Sequence, residues 1–131
     1  MELLRIAKRR WEVLATSEML DTLISARVAH QGAIKTMLSL LRETVPLYGP
    51  QKDNPQICKY LKSHDLWEFR KQPRGKKLRV VWFADGDRIL VCTAAFAKEA
   101  RTPDLQRSVD LRDQYFAAKE RGTLIIHDLE R

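Results

Sequence analysis

Apolar positions along this chain change their period once, near residue 60. Before that point the spacing is mostly helical. Trp11 to Ala15 (WEVLA) suits a short strand, and Thr16 or Ser17 can then cap a helix running to about His30, with Leu20, Leu23, Ile24 and Val28 on one stripe. Gly32 is expected to break that helix. In a second helix Ile34, Met37, Leu38, Leu41 and Val45 fall at i, i+3, i+4, i+7 and i+11, until Pro46 stops the pattern. Two helices joined by so short a break predict an antiparallel hairpin. The stretch PLYGPQKDNP, Pro46 to Pro55, is dense in turn formers and reads as a surface loop.

After residue 60 the period is two. Leu66 to Lys71 (LWEFRK) alternates, with Trp67 and Phe69 on one face and Glu68 and Arg70 on the other. Lys77 to Ala84 (KLRVVWFA) and Arg88 to Phe96 (RILVCTAAF) are rich in β-branched and aromatic residues, and Asp85, Gly86 and Asp87 between them signal a hairpin turn. Thr102 and Pro103 open a helix to about Arg121, with Gly122 as terminator and Leu105, Val109 and Phe116 as its buried stripe. The tail TLIIHDLER adds a short strand. The expected class is α+β: an N-terminal helical hairpin and a C-terminal helix packed on one face of a small twisted antiparallel sheet. Such a sheet keeps its other face for a ligand, and Arg70, opposite Trp67 and Phe69, falls on that open face.

Length and composition narrow the class. The 131 residues leave room for one domain, 1–131, and with 44% hydrophobic and 31% charged residues they carry no mark of disorder or fibre. No apolar run approaches the roughly 18 residues of a membrane span, and the start MELLRIAKRRWEV is unlike a secretory signal, so a soluble, cytoplasmic protein is expected. Cys58 and Cys92 lie 34 positions apart without a CxxC spacing, which excludes a disulfide framework and predicts buried free thiols. His30 and His127 have no carboxylate or cysteine at ligand spacing, so neither a metal nor a cofactor is expected.

Charge changes the picture more. The net charge is +7, and Lys59 to Trp82 carries eight basic residues against Asp65 and Glu68, +6 in 24 positions; the other 107 residues hold 16 basic and 15 acidic side chains. Concentration of nearly all the excess in one segment is the pattern of a phosphate-binding surface, with a solvated basic hairpin as the plain alternative.

The runs LKSHDLWEFR and LRVVWFADGDRILVCTAAFAKEARTP, followed by a long amphipathic helix, resemble the RelE/HigB superfamily of bacterial toxins, nearest its phage-derived HigB-like branch. Order and spacing of the motifs carry the resemblance, over about Trp11 to Arg121. Two positions depart from the pattern: Asp65, where glycine is common, and Glu99, where the family often has a second lysine. The resemblance implies a RelE-like fold and an mRNA interferase, a toxin that enters the ribosomal A site, cuts the message, and is silenced by a helix-turn-helix antitoxin. RNA cleavage by the 2′-hydroxyl needs one proton taken, one given, and stabilisation of extra phosphate charge, all without a metal ion. Arg70 matches the arginine of the family's WELR motif and is implied as the phosphate clamp, a task suited to a planar guanidinium. Lys98 matches the lysine after the last strand and would stabilise charge or act as base. Arg101 would neutralise the phosphate or protonate the leaving oxygen.

Further residues carry two readings each. His64 is a candidate general base or plain surface. Lys71, Arg74, Lys76 and Lys77 flank the turn PRG and would grip RNA backbone or merely solubilise, and Arg79 is a weaker RNA-binding candidate. Trp67 and Trp82 suit the core better than base stacking, and Glu68 is either an orienting partner of Arg70 or an ordinary strand pair. The alternative to a nuclease is a non-catalytic module that holds RNA or an antitoxin with the same basic face.

Overall fold

The computed structural model describes residues 1–25, 27–71, 78–97 and 102–129, with 27–31, 71 and 102 described by backbone alone. In chain order they form β1 (Glu2–Lys8), β2 (Glu12–Ala15), α1 (Ser17–Ser25), α2 (Arg27–Ser39), a π-helical turn (Leu40–Thr44), α3 (Val45–Tyr48), β3 (Cys58–Leu61), β4 (Leu66–Lys71), β5 (Leu78–Asp85), β6 (Ile89–Phe96), α4 (Thr102–Arg121) and β7 (Ile125–Asp128). All seven strands join one sheet in the order β3-β4-β5-β6-β2-β1-β7.

The expected small antiparallel sheet is therefore overturned. The run β3 to β6 is antiparallel, as the meander predicts, but β6 pairs in parallel with β2 and β1 pairs in parallel with β7, so the sheet is mixed. Pairings across most of the chain leave no local periodic signal, which is why periodicity alone undercounts such a sheet. Arg5 fastens the second half: its Nε lies 2.6 Å from Glu12 on β2 and its Nη1 2.7 Å from Asp128 on β7.

The helices are not confined to one face either. One core joins α1, α2 and the π-helical turn to Val13, Ala15, Phe69, Val80, Trp82, Leu90 and Cys92; a second sets Tyr115 of α4 against Leu3, Leu14, Leu66, Val81, Phe83 and Val91. These two sets alternate along the same strands, so both faces of the sheet are covered. A bulge interrupts the alternation on β6. Val81 pairs with Ala94 but Trp82 with Cys92, which leaves Thr93 as the extra residue, its hydroxyl 2.9 Å from Ser108 of α4.

The helical hairpin is corrected as well. α1 ends at Ser25, α2 starts at Arg27, and Gly32 lies inside α2, a position that costs a helix only about 1 kcal/mol relative to alanine and need not end it. Pro46 sits in the first turn of α3, where its missing N–H is no loss, so the helical path runs past it to Tyr48. The cap reads as expected: Met19 donates its backbone N–H to Thr16 Oγ1 at 3.1 Å. α4 keeps its predicted bounds and ends at Gly122, with φ of +71°. Its buried residues are Ser108, Leu111, Tyr115 and Ala118, one step round from the predicted stripe, and Phe116 is 41% exposed. Phe69 and Trp82 stack at 4.9 Å within the first core, and both cysteines are free and buried.

Candidate functional site

Alternation along β4 sends Leu66, Glu68 and Arg70 to the α4 side of the sheet, while Phe69 enters the opposite core. α4 meets that side near the start of β4 and the end of β5. Arg112 donates to the carbonyls of His64 and Asp65, and the Tyr115 hydroxyl donates to Asp85 at 2.7 Å. At the other end of this strand pair Arg70 and Arg79 stand directly across from each other. The expectation of an open face is thus corrected: α4 packs on this side of the sheet, and Glu68 and Arg79 are buried on it.

Like charges opposite on paired strands repel. Glu68 is what permits the pair. Its Oε1 accepts from Arg70 Nε at 2.9 Å and lies 3.5 Å from Arg79 Nε, so one carboxylate oxygen serves both guanidinium groups. The side chains of Glu68 and Arg79 are 6% and 10% exposed, and that of Arg70 is 23% exposed. Both arginines meet the carboxylate through Nε, and among the described residues no hydrogen bond engages their terminal Nη nitrogens. The cluster carries one negative and two positive charges, an arrangement that can take an anion at Arg70.

The other expected site residues fall elsewhere or outside view. Lys98, Arg101, Arg74, Lys76 and Lys77 lie outside the described residues, as does the side chain of Lys71. Lys98 follows two positions after Phe96, which is the strand partner of Arg79. His64 does not join Arg70: it sits in the turn before β4, with Nδ1 2.7 Å from Ser63 Oγ, and from Leu66 to Arg70 the strand runs about 13 Å. Trp82 is fully buried, and Trp67 stacks on it at 5.7 Å under Lys52.

Asp65 explains its own departure from glycine. Its φ is +52°, a left-handed conformation that aspartate tolerates better than most residues, and its carboxylate accepts from the Tyr60 hydroxyl at 2.6 Å. That carboxylate holds the Tyr60 phenol above its usual range. Sequence reasoning passed over Arg112, which ties this turn to α4; only the three-dimensional register shows it. Nor does the sequence show that Arg79 stands across from Arg70, because an arginine at a strand start carries no sign of its partner across the sheet.

Among the described residues no three His, Cys, Asp or Glu side chains converge as metal ligands, and no helix is long and apolar enough to cross a membrane. An apolar cavity of about 490 Å³ between β1, α1 and α2 includes Leu4, Ile6, Leu20, Leu23 and Ile34 in its lining and lies on the face opposite Arg70.

No curated protein and no solved structure matches the chain. A family model does: residues 27–124 match the model described as phage derived protein Gp49-like, the span that holds β4, β5, β6 and the arginine pair. That phage-derived family is one of proteins similar to the toxins of type II toxin-antitoxin systems. With about three quarters of its length inside the match, the chain belongs to the Gp49-like phage-derived family.

Proposed function

We propose that this protein is the toxin of a type II toxin-antitoxin pair and acts as a ribosome-dependent mRNA endoribonuclease in the cytoplasm. The observation that carries the reading is the Arg70 guanidinium, held at Nε by Glu68 beside Arg79, with terminal nitrogens free of protein partners among the described residues. A phosphodiester oriented by the ribosome needs little from the protein beyond charge and proton transfer. Arg70 grips the scissile phosphate. Lys98 stabilises the developing charge or takes the 2′-hydroxyl proton, and Arg101 neutralises the phosphate or protonates the leaving oxygen. Lys71, Arg74, Lys76 and Lys77 hold the flanking backbone. His64, a strand length away, takes no part at that phosphate. A toxin of this kind must be restrained in its host, so the partner is a small antitoxin bearing a helix-turn-helix domain.

Induced expression followed by primer extension on a cellular message tests the reading. New 5′ ends within codons, absent from the Arg70→Ala strain and suppressed by coexpression of the neighbouring gene, are expected. A wild-type protein that binds ribosomes and cuts nothing would replace the nuclease with a binding module, with Glu99 the first position to restore to lysine.

A further inference from the structure

A carboxylate bonded to the arginine that must hold a phosphate is at first sight a defect. The pair Glu68–Arg70 taken alone is neutral, and a neutral pair holds an anion poorly. Burial removes the escape that a surface pair has, since a desolvated carboxylate must be faced by cations. Arg79 changes the balance. It lies 3.5 Å from the same Oε1, it is less exposed than Arg70, and it brings the three-residue cluster to one net positive charge.

We propose that Glu68 and Arg79 form a charge-balanced holder for Arg70: Glu68 orients the Arg70 guanidinium through Nε, and Arg79 cancels the carboxylate so that Arg70 meets an RNA phosphodiester as a full cation. Arg79 acts through Glu68 and not by touching the ligand. Both are positioning residues. The geometry suits the task, because a bond at Nε leaves the two Nη groups of Arg70 as a fork for two phosphate oxygens. The inference rests on the reading that Arg70 grips phosphate, and it makes predictions of opposite sign for neighbouring substitutions, which a merely structural ion pair would not.

The test uses the full chain and ribosomes programmed with a message carrying 2′-O-methyl groups, so that binding is read without cleavage. Cutting is followed in parallel on unmodified message. Arg79→Met leaves Glu68 and Arg70 as a neutral pair, and affinity should fall about tenfold. Glu68→Gln/Arg79→Met restores one net positive charge, and affinity should return to within about threefold of wild type. Glu68→Gln alone raises the cluster to two positive charges. Its affinity should equal or exceed wild type while cleavage slows on the order of tenfold, because the fork is no longer aimed.

Arg79→Met binding like wild type, or a double variant as weak as Arg79→Met, would overturn the proposal. So would Glu68→Gln cutting at the wild-type rate. Should Arg79→Met fail to fold by circular dichroism, the double variant decides alone: near wild-type affinity upholds the holder, and a tenfold loss rejects it. Arg70→Ala is the control that separates the two levels. If it still cuts at the wild-type rate, the reading that Arg70 grips the scissile phosphate fails, and the holder with it; if it is dead while the Arg79 and Glu68 variants behave as wild type, only the holder fails. Should the wild-type protein cut nothing, the affinity arms still decide.

Discussion

At the scale of single residues, Asp65 and Glu68 show how one carboxylate takes its meaning from what surrounds it. Asp65, exposed and left-handed, closes the turn into β4. Asp65→Ala should destabilise the protein by about 1 kcal/mol through backbone strain alone, and Asp65→Gly by less, because glycine adopts positive φ freely. Urea titrations of the two variants check the order, and Tyr60→Phe isolates the phenol's contribution. An alanine variant as stable as the glycine variant would remove strain from the account. Glu68, two residues beyond the start of the strand, is buried and shared by two cations. The motif LWEFR shows the glutamate and the arginine side by side, and the spacing of two puts them on one face. It cannot show that Arg79 completes the set, because a strand does not state which residue will stand across from it.

Among the elements, those legible in the sequence are the ones that make a local statement. β4, β5, β6 and α4 were readable to within a residue or two from alternation, a turn of Asp-Gly-Asp, and a Thr-Pro start. β1 was not. Its Leu3 faces α4 while Leu4 and Ile6 face α1 and α2, and a bulge between Arg5 and Ala7 shifts the register, so a strand covered on both sides shows no two-residue rhythm. β3 has two exposed residues in its four and borders a loop, which leaves little pattern to find. The parallel pairing of β2 with β6 is a statement about distant residues and has no local trace. Thr16 joins these levels, for its hydroxyl both caps α1 and donates to the carbonyl of Thr93 on β6 at 3.3 Å. Thr16→Ala should therefore cost about 1–2 kcal/mol, measured by chemical denaturation, against the smaller loss of an exposed cap. Phe69→Ala, which empties the stack on Trp82, should cost about 3–5 kcal/mol. Loss under 1 kcal/mol in either variant would show that these contacts do not join helix to sheet as described.

For the whole molecule, charge and burial set the conditions under which it works. The excess of +6 between Lys59 and Trp82 predicts that ribosome or RNA binding weakens steeply with salt, and that neutralising Lys71, Arg74, Lys76 and Lys77 together flattens the slope of log affinity against log salt. An unchanged slope would return those residues to the role of solubilising a turn. Burial acts on stability through protons. Desolvation raises the Cys58 thiol to about 11 and also raises Cys92, while Tyr115 is held up by burial and by its bond to Asp85. In the unfolded chain a thiol ionises near pH 8.5. A group whose folded value lies above its unfolded one contributes stability that is complete below the unfolded value and is lost as the pH rises through the folded value. The fold should accordingly hold its full thiol contribution at pH 7, begin to lose it above about pH 8.5, and have lost the Cys58 share above about pH 11. Unfolding free energies measured by urea from pH 7 to 11 should fall with pH, and Cys58→Ala should show a shallower fall than wild type whatever its own starting stability. Parallel curves for the two proteins would mean that the Cys58 thiol ionises as freely in the fold as in the open chain, and that the core beside β3 admits water.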